Sequence, residues 1–156
     1  MFIGFLRYLL KKKKPSLPKD MTYHKNSGEF ISEITAGANL VDGRQTWELA
    51  GDKKDDLDVM KRCCDAELKV MDKAGLVPAP YYFERVAILS RKNKDYKQEI
   101  YYCEQYINKV EAYYLKNGTD GIADVREGPR FKALAKRLPK AKELYAKRNT
   151  YQVDED

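Results

Sequence analysis

The segment YYFERVAILSRKNKDYKQEIYYCEQYI, residues 81–107, decides the fold class, because two apolar stripes of helical spacing meet there across a short polar turn. Phe83, Val86, Ala87 and Ser90 fall on one helix face, and Tyr82 and Leu89 widen it. Pro80 sits just before, where a proline in the first helical turn sacrifices no hydrogen bond. Lys92 to Lys94 make the turn, and Asp95 stands three residues before Gln98, a capping-box arrangement that opens the next helix. That helix carries Tyr96, Ile100, Cys103, Ile107, Val110 and Tyr114 and stops at Asn117-Gly118, a good left-handed terminator. Two helices joined this closely must lie antiparallel as a hairpin.

Upstream, Leu57, Met60, Cys64, Leu68 and Met71 are spaced by three or four, which predicts a helix over about residues 56–74. Asp55 or Asp56 caps its start, Gly75 supplies the left-handed residue after it, and Pro78 prevents continuation. Downstream, residues 119–129 read as a loop. Phe131, Leu134, Ala135, Leu138, Ala141 and Tyr145 then resume the helical repeat, with Pro139 predicting either a kink or a second helix start. The chain is therefore expected to be all-α, an antiparallel helical hairpin or bundle over residues 55–148. Residues 149–156 form an acidic tail, expected to fray.

The N-terminal third reads differently. Residues 1–14 are an apolar decapeptide, MFIGFLRYLL, followed by Lys11, Lys12, Lys13 and Lys14. Ten residues cover about half of a bilayer core, which needs roughly 20. Two readings stay open: a short helix dipping into an anionic membrane face with the lysines at the headgroups, or Phe2, Phe5, Leu6, Leu9 and Leu10 docking on the protein's own core. Residues 15–54 read as linker and weakly structured chain. FISEI offers one helical turn, Gly37, Gly43 and Gly51 break any longer period, and Trp47, the only tryptophan, is expected to pack inside.

The 156 residues suit one domain, and a hydrophobic fraction of 43% supports a core. A formal charge of +6 is a modest bias toward anionic partners. Cys63, Cys64 and Cys103 are odd in number and two are adjacent, so a reducing, cytoplasmic location is expected, peripheral at a membrane surface if residues 1–14 act as an anchor. No C-x-x-C occurs, and His24 is the only histidine. Neither a zinc site nor a Cys/His or Ser/His/Asp catalytic set is read, and no cofactor is called for; the phosphate loop G-x-x-x-x-G-K-[ST] is missing. Binding is expected rather than catalysis.

Residues 81–107 resemble one tetratricopeptide repeat, through Phe83, Val86 and Ala87 in the first helix, the Lys94-Asp95-Tyr96 turn, and Ile100 and Ile107 in the second. The chain departs from that pattern at Glu99 and Tyr106, where small residues are usual, and at Ser90, where an aromatic is usual; wider helix packing, or a divergent relative, is the expected reading. The resemblance implies stacking of helical hairpins and recognition of a protein or peptide. Repeats that clamp a terminal carboxylate project cations and amides from the first helix, and Tyr81, Glu84, Arg85 and Ile88 do not supply that set. Fold likeness leaves the ligand open.

Seven of the hairpin's tyrosines, Tyr81, Tyr82, Tyr101, Tyr102, Tyr106, Tyr113 and Tyr114, cannot share one narrow stripe, and tyrosine is enriched at interfaces. The candidate partner-binding residues are Tyr81, Tyr82, Arg85, Tyr101, Tyr102 and Tyr106; the alternative is that the rings pack on flanking helices. Between Arg126 and Arg148 nine basic residues face two acidic ones. The alternative function is accordingly nucleic-acid binding through Lys11 to Lys14 and Arg130, Lys136, Arg137 and Lys140, unless these residues are simply the solvated side of an amphipathic helix.

Overall fold

The computed structural model describes residues 26–153, with side chains through residue 150. The readings made for residues 1–14 (Lys11 to Lys14 included) and for His24 fall outside the described residues, as does the end of the acidic tail. The described chain is mainly α-helical, with one two-stranded hairpin near its start.

The first correction is that residues 26–54 hold regular elements. Helix α1 spans Ser27–Ile34, capped reciprocally: the Asn26 side chain accepts from the Glu29 N–H, and the Glu29 carboxylate accepts from the Asn26 N–H. Strands β1, Leu40–Val41, and β2, Arg44–Gln45, pair antiparallel around Asp42-Gly43. Both turn residues have positive φ, 52° and 74°, which is the type I′ hairpin that an Asp-Gly pair favours. Helix α2, Thr46–Asp52, follows at once.

Helix α3 runs Leu57–Ala74, where the spacing predicts it. Asp56 accepts from the Val59 N–H, and Gly75 takes φ 65°, so both ends are capped by residues suited to the task. Met60 and Cys64 are fully buried on the expected stripe. A second row, Val59, Cys63, Ala66 and Val70, is buried as well, because α3 is covered on its other side by α1, β1 and α2.

Helices α4, Pro80–Lys92, and α5, Tyr96–Asn117, form the expected hairpin. Asp95 accepts from the Gln98 N–H, but the Gln98 side chain does not complete a capping box; its amide donates to the Ser90 hydroxyl across the turn. A 3-10 turn at Val125–Glu127 leads into α6, Pro129–Val153, one helix that continues through Pro139 and past Arg148. Arg130 meets Glu84 and Arg137 meets Arg91, so α6 runs parallel to α4; Lys142 meets Glu104 and Arg126 meets Glu111, so it runs antiparallel to α5.

The core is centred on Phe83 and Tyr106, whose rings lie 4.8 Å apart, with Phe131 6.1 Å beyond Tyr106. Met60, Val86, Val110 and Leu134 close it, all fully buried. At the turn end of the hairpin the fully buried Glu99 accepts from Arg91 Nε at 2.9 Å, while Arg91 Nη2 and Arg137 Nε approach its other oxygen at 2.8 and 3.2 Å. A carboxylate withdrawn from water needs such counter-charge, and this one ties α4, α5 and α6 together.

Candidate functional site

The tyrosine face expected from the sequence is largely interior. Tyr82, Tyr102 and Tyr106 are buried at 4%, 7% and 0% exposure, so none of the three lies on a recognition surface. Burial pushes the Tyr82 phenol up to about 12 and raises those of Tyr102 and Tyr106. The physical reason is that α3 and α6 flank the hairpin, so rings off the central stripe still meet a neighbouring helix. Hydroxyls then find backbone carbonyls at the loops. Tyr106 donates to Pro78 O at 2.9 Å, Tyr81 to Ala50 O at 2.8 Å, Tyr113 to Gly75 O at 3.1 Å and Tyr114 to Ala123 O at 3.0 Å.

Of the remaining candidates, Tyr81 is half-buried beneath the Arg130 guanidinium, 4.8 Å from its ring centre. Arg85 is held by Asp55 at 2.6 Å and donates to Lys54 O at 3.0 Å. Only Tyr101 stands open, 56% exposed, between a shallow depression lined by α5 alone and another that α5 shares with Lys61 of α3.

The anionic-surface candidates are dispersed in the same way. Arg130 pairs with Glu84, Arg137 is drawn to the buried Glu99, and Lys140 pairs with Glu143 at 3.0 Å. Lys136 is exposed on α6. Arg137 is thereby corrected from a surface cation to a partner of the core carboxylate.

A recess built from several elements lies elsewhere, in a part of the chain that the periodicity does not mark. A cleft of about 630 Å³ opens between α1, the strand hairpin, the start of α2 and the α3–α4 connection. Ile31, Val70, Leu76 and Val77 give it an apolar lining, and Asn39, Gln45, Thr46 and Glu67 add polar groups. Trp47 contributes too, yet is 63% exposed, which corrects the expectation that it packs inside. The cause is its place on α2, a helix of two turns that buries only Thr46 and Leu49.

The cleft walls are tied by short polar contacts. Trp47 Nε1 donates to Gln45 Oε1 at 2.6 Å, and the Gln45 side chain lies directly on Gly28, where a Cβ would come within 1.6 Å of the same oxygen. Asn39 donates to Gly28 O at 3.1 Å and accepts from the Ser32 hydroxyl at 2.7 Å, which joins α1 to the strand hairpin. Glu67 accepts from the Thr46 hydroxyl and from the Ala79 N–H, each at 2.9 Å. Burial raises its pKa, and those two hydrogen bonds oppose the rise.

The cysteine thiols are held in the protonated form. Cys63, Cys64 and Cys103 are buried; desolvation pushes Cys63 up to about 11 and Cys103 up to about 12, and Cys64 rises for the same reason. Among the described residues no cluster of His, Cys, Asp and Glu could hold a metal ion, and no helix is long and apolar enough to cross a membrane. Compared with family models, curated proteins and solved structures, the chain finds no match.

Proposed function

We propose that this chain is a non-enzymatic helical binding module for a protein or peptide partner, with the cleft beside Trp47 as its receptor. The hairpin of α4 and α5, a divergent relative of the tetratricopeptide repeat in this reading, serves as the scaffold. The observation that carries the proposal is Trp47, a large aromatic held 63% exposed at a recess of about 630 Å³. Tryptophan dominates binding energetics where it can be covered, and pockets of this size, apolar with a few convergent polar groups, are where ligands sit. The buried, unpaired thiols suit a reducing compartment such as the cytoplasm. Nucleic-acid binding has weaker support, since Arg130, Arg137 and Lys140 are each matched by a carboxylate of the chain itself.

Selection of a random 12-residue peptide display library on the full chain tests the proposal. Peptides that bind should lose affinity about tenfold or more on Trp47→Ala, as for a central interface tryptophan, and change little on Tyr101→Ala. The reverse ranking would return the site to the hairpin.

A further inference from the structure

The protein treats Glu99 and Glu67 differently, and the difference bears on what enters the cleft. Glu99 is shut inside the helical bundle with two arginines beside it. Glu67 lines the cleft, and both of its oxygens accept from neutral donors, the Thr46 hydroxyl and the Ala79 N–H. Among the described residues no Lys or Arg pairs with it, and none of the others that line the cleft is charged. Each carboxylate oxygen has a second lone pair, so capacity for a further donor remains.

The rest of the lining suits one kind of donor. Ile31, Val70, Leu76 and Val77 would receive the methylene stem of a lysine or arginine, which buries readily when its head group is satisfied. An exposed indole attracts a cation to its face more strongly than any other side-chain ring. Asn39, Gln45 and Ser27 offer amide and hydroxyl groups of the kind that hold an extended backbone.

Building on the reading of the cleft as a peptide site, we propose that its occupant is an extended segment of a partner protein that inserts one lysine or arginine side chain, with Glu67 as counter-charge and Trp47 as cover. The pair then formed completes for Glu67 what Arg91 and Arg137 supply to Glu99. A charge-assisted hydrogen bond gives the recognition its selectivity, while apolar neighbours in the peptide give it area.

The peptide selection described above provides the test, with two further comparisons. The selected sequences should share a lysine or arginine at one position. Replacing that residue by norleucine should weaken binding to the native chain about tenfold or more, and by less than about twofold in Glu67→Gln, where the counter-charge is gone. The norleucine comparison uses the native chain, so it stands even if Glu67→Gln folds poorly. A shared apolar motif without a cation, or equal binding of lysine and norleucine peptides, would overturn this inference and leave the cleft as a peptide site. Selected peptides indifferent to Trp47→Ala, or no selected peptides at all, would overturn both.

Discussion

On the hairpin of α4 and α5, Tyr82, Phe83, Tyr102, Tyr106 and Tyr114 are buried, whereas Phe30 of α1 and Trp47 of α2 are 53% and 63% exposed. The residue types are alike; their surroundings are not. The hairpin lies between α3 and α6, so its rings beside the central stripe, Tyr101 excepted, reach a partner. The N-terminal elements are short and pack against α3 from one side, and no further element among the described residues lies against their outer faces. Aromatic density in a sequence therefore marks a core where neighbours exist on both sides, and marks a surface where the layer is the last one.

The largest effects should come from breaking the hairpin side of that comparison. Tyr106→Ala removes a fully buried ring and leaves Pro78 O without its donor, so it should cost about 3–5 kcal/mol, while Trp47→Ala should stay within about 0.5 kcal/mol. Urea titrations of the two variants measure this directly. Next comes Glu99→Ala. Removing one partner of a buried ion pair costs about 3–5 kcal/mol, but Arg91 and Arg137 are partly exposed and can rehydrate, so about 2–3 kcal/mol is expected in the same assay. Gly75→Ala should cost about 1 kcal/mol, because Gly75 holds φ 65° at the joint where α3 ends and the cleft-lining Leu76 and Val77 begin.

The smallest effect concerns pH. Glu67 has a folded pKa above the ordinary 4.5, chiefly through burial, so the folded state binds its proton more tightly than the unfolded state does. Its contribution to stability is greatest below 4.5 and is lost as pH rises through the folded value. Glu67→Gln abolishes that loss. From acid to neutral pH the melting temperature of the variant should gain on that of the native chain, because Asp52, Asp124 and Glu143 act alike in both and only the Glu67 contribution differs.

The helical half of the molecule was legible because period and punctuation agree there. Asp56, Gly75, Pro80, Asp95 and Asn117-Gly118 bound helices α3, α4 and α5 where their chemistry dictates. Pro139 misled in one respect, since α6 continues through it; only one intrahelical hydrogen bond is lost there, and the acceptor it would have used belongs to the exposed Ala135. The cleft was not legible, because α1, the strands and α2 are each too short to show a period. One signal for it was present: Asp42-Gly43 is the dipeptide of a type I′ hairpin, and it reads as a strand turn if taken with its flanks instead of as a break in a helix. Trp47 was misplaced because hydrophobicity alone suggests burial, and nothing local shows that no other described element packs outside α2.

Trp47 is the only tryptophan, so its fluorescence reports on the cleft without labelling. In the free, full-length protein its emission should be that of a solvated indole, open to quenching by iodide. Addition of a library-selected peptide should shift that emission to the blue and protect it from the quencher. A blue, protected emission before any peptide is added would show Trp47 already covered, and would contradict the account.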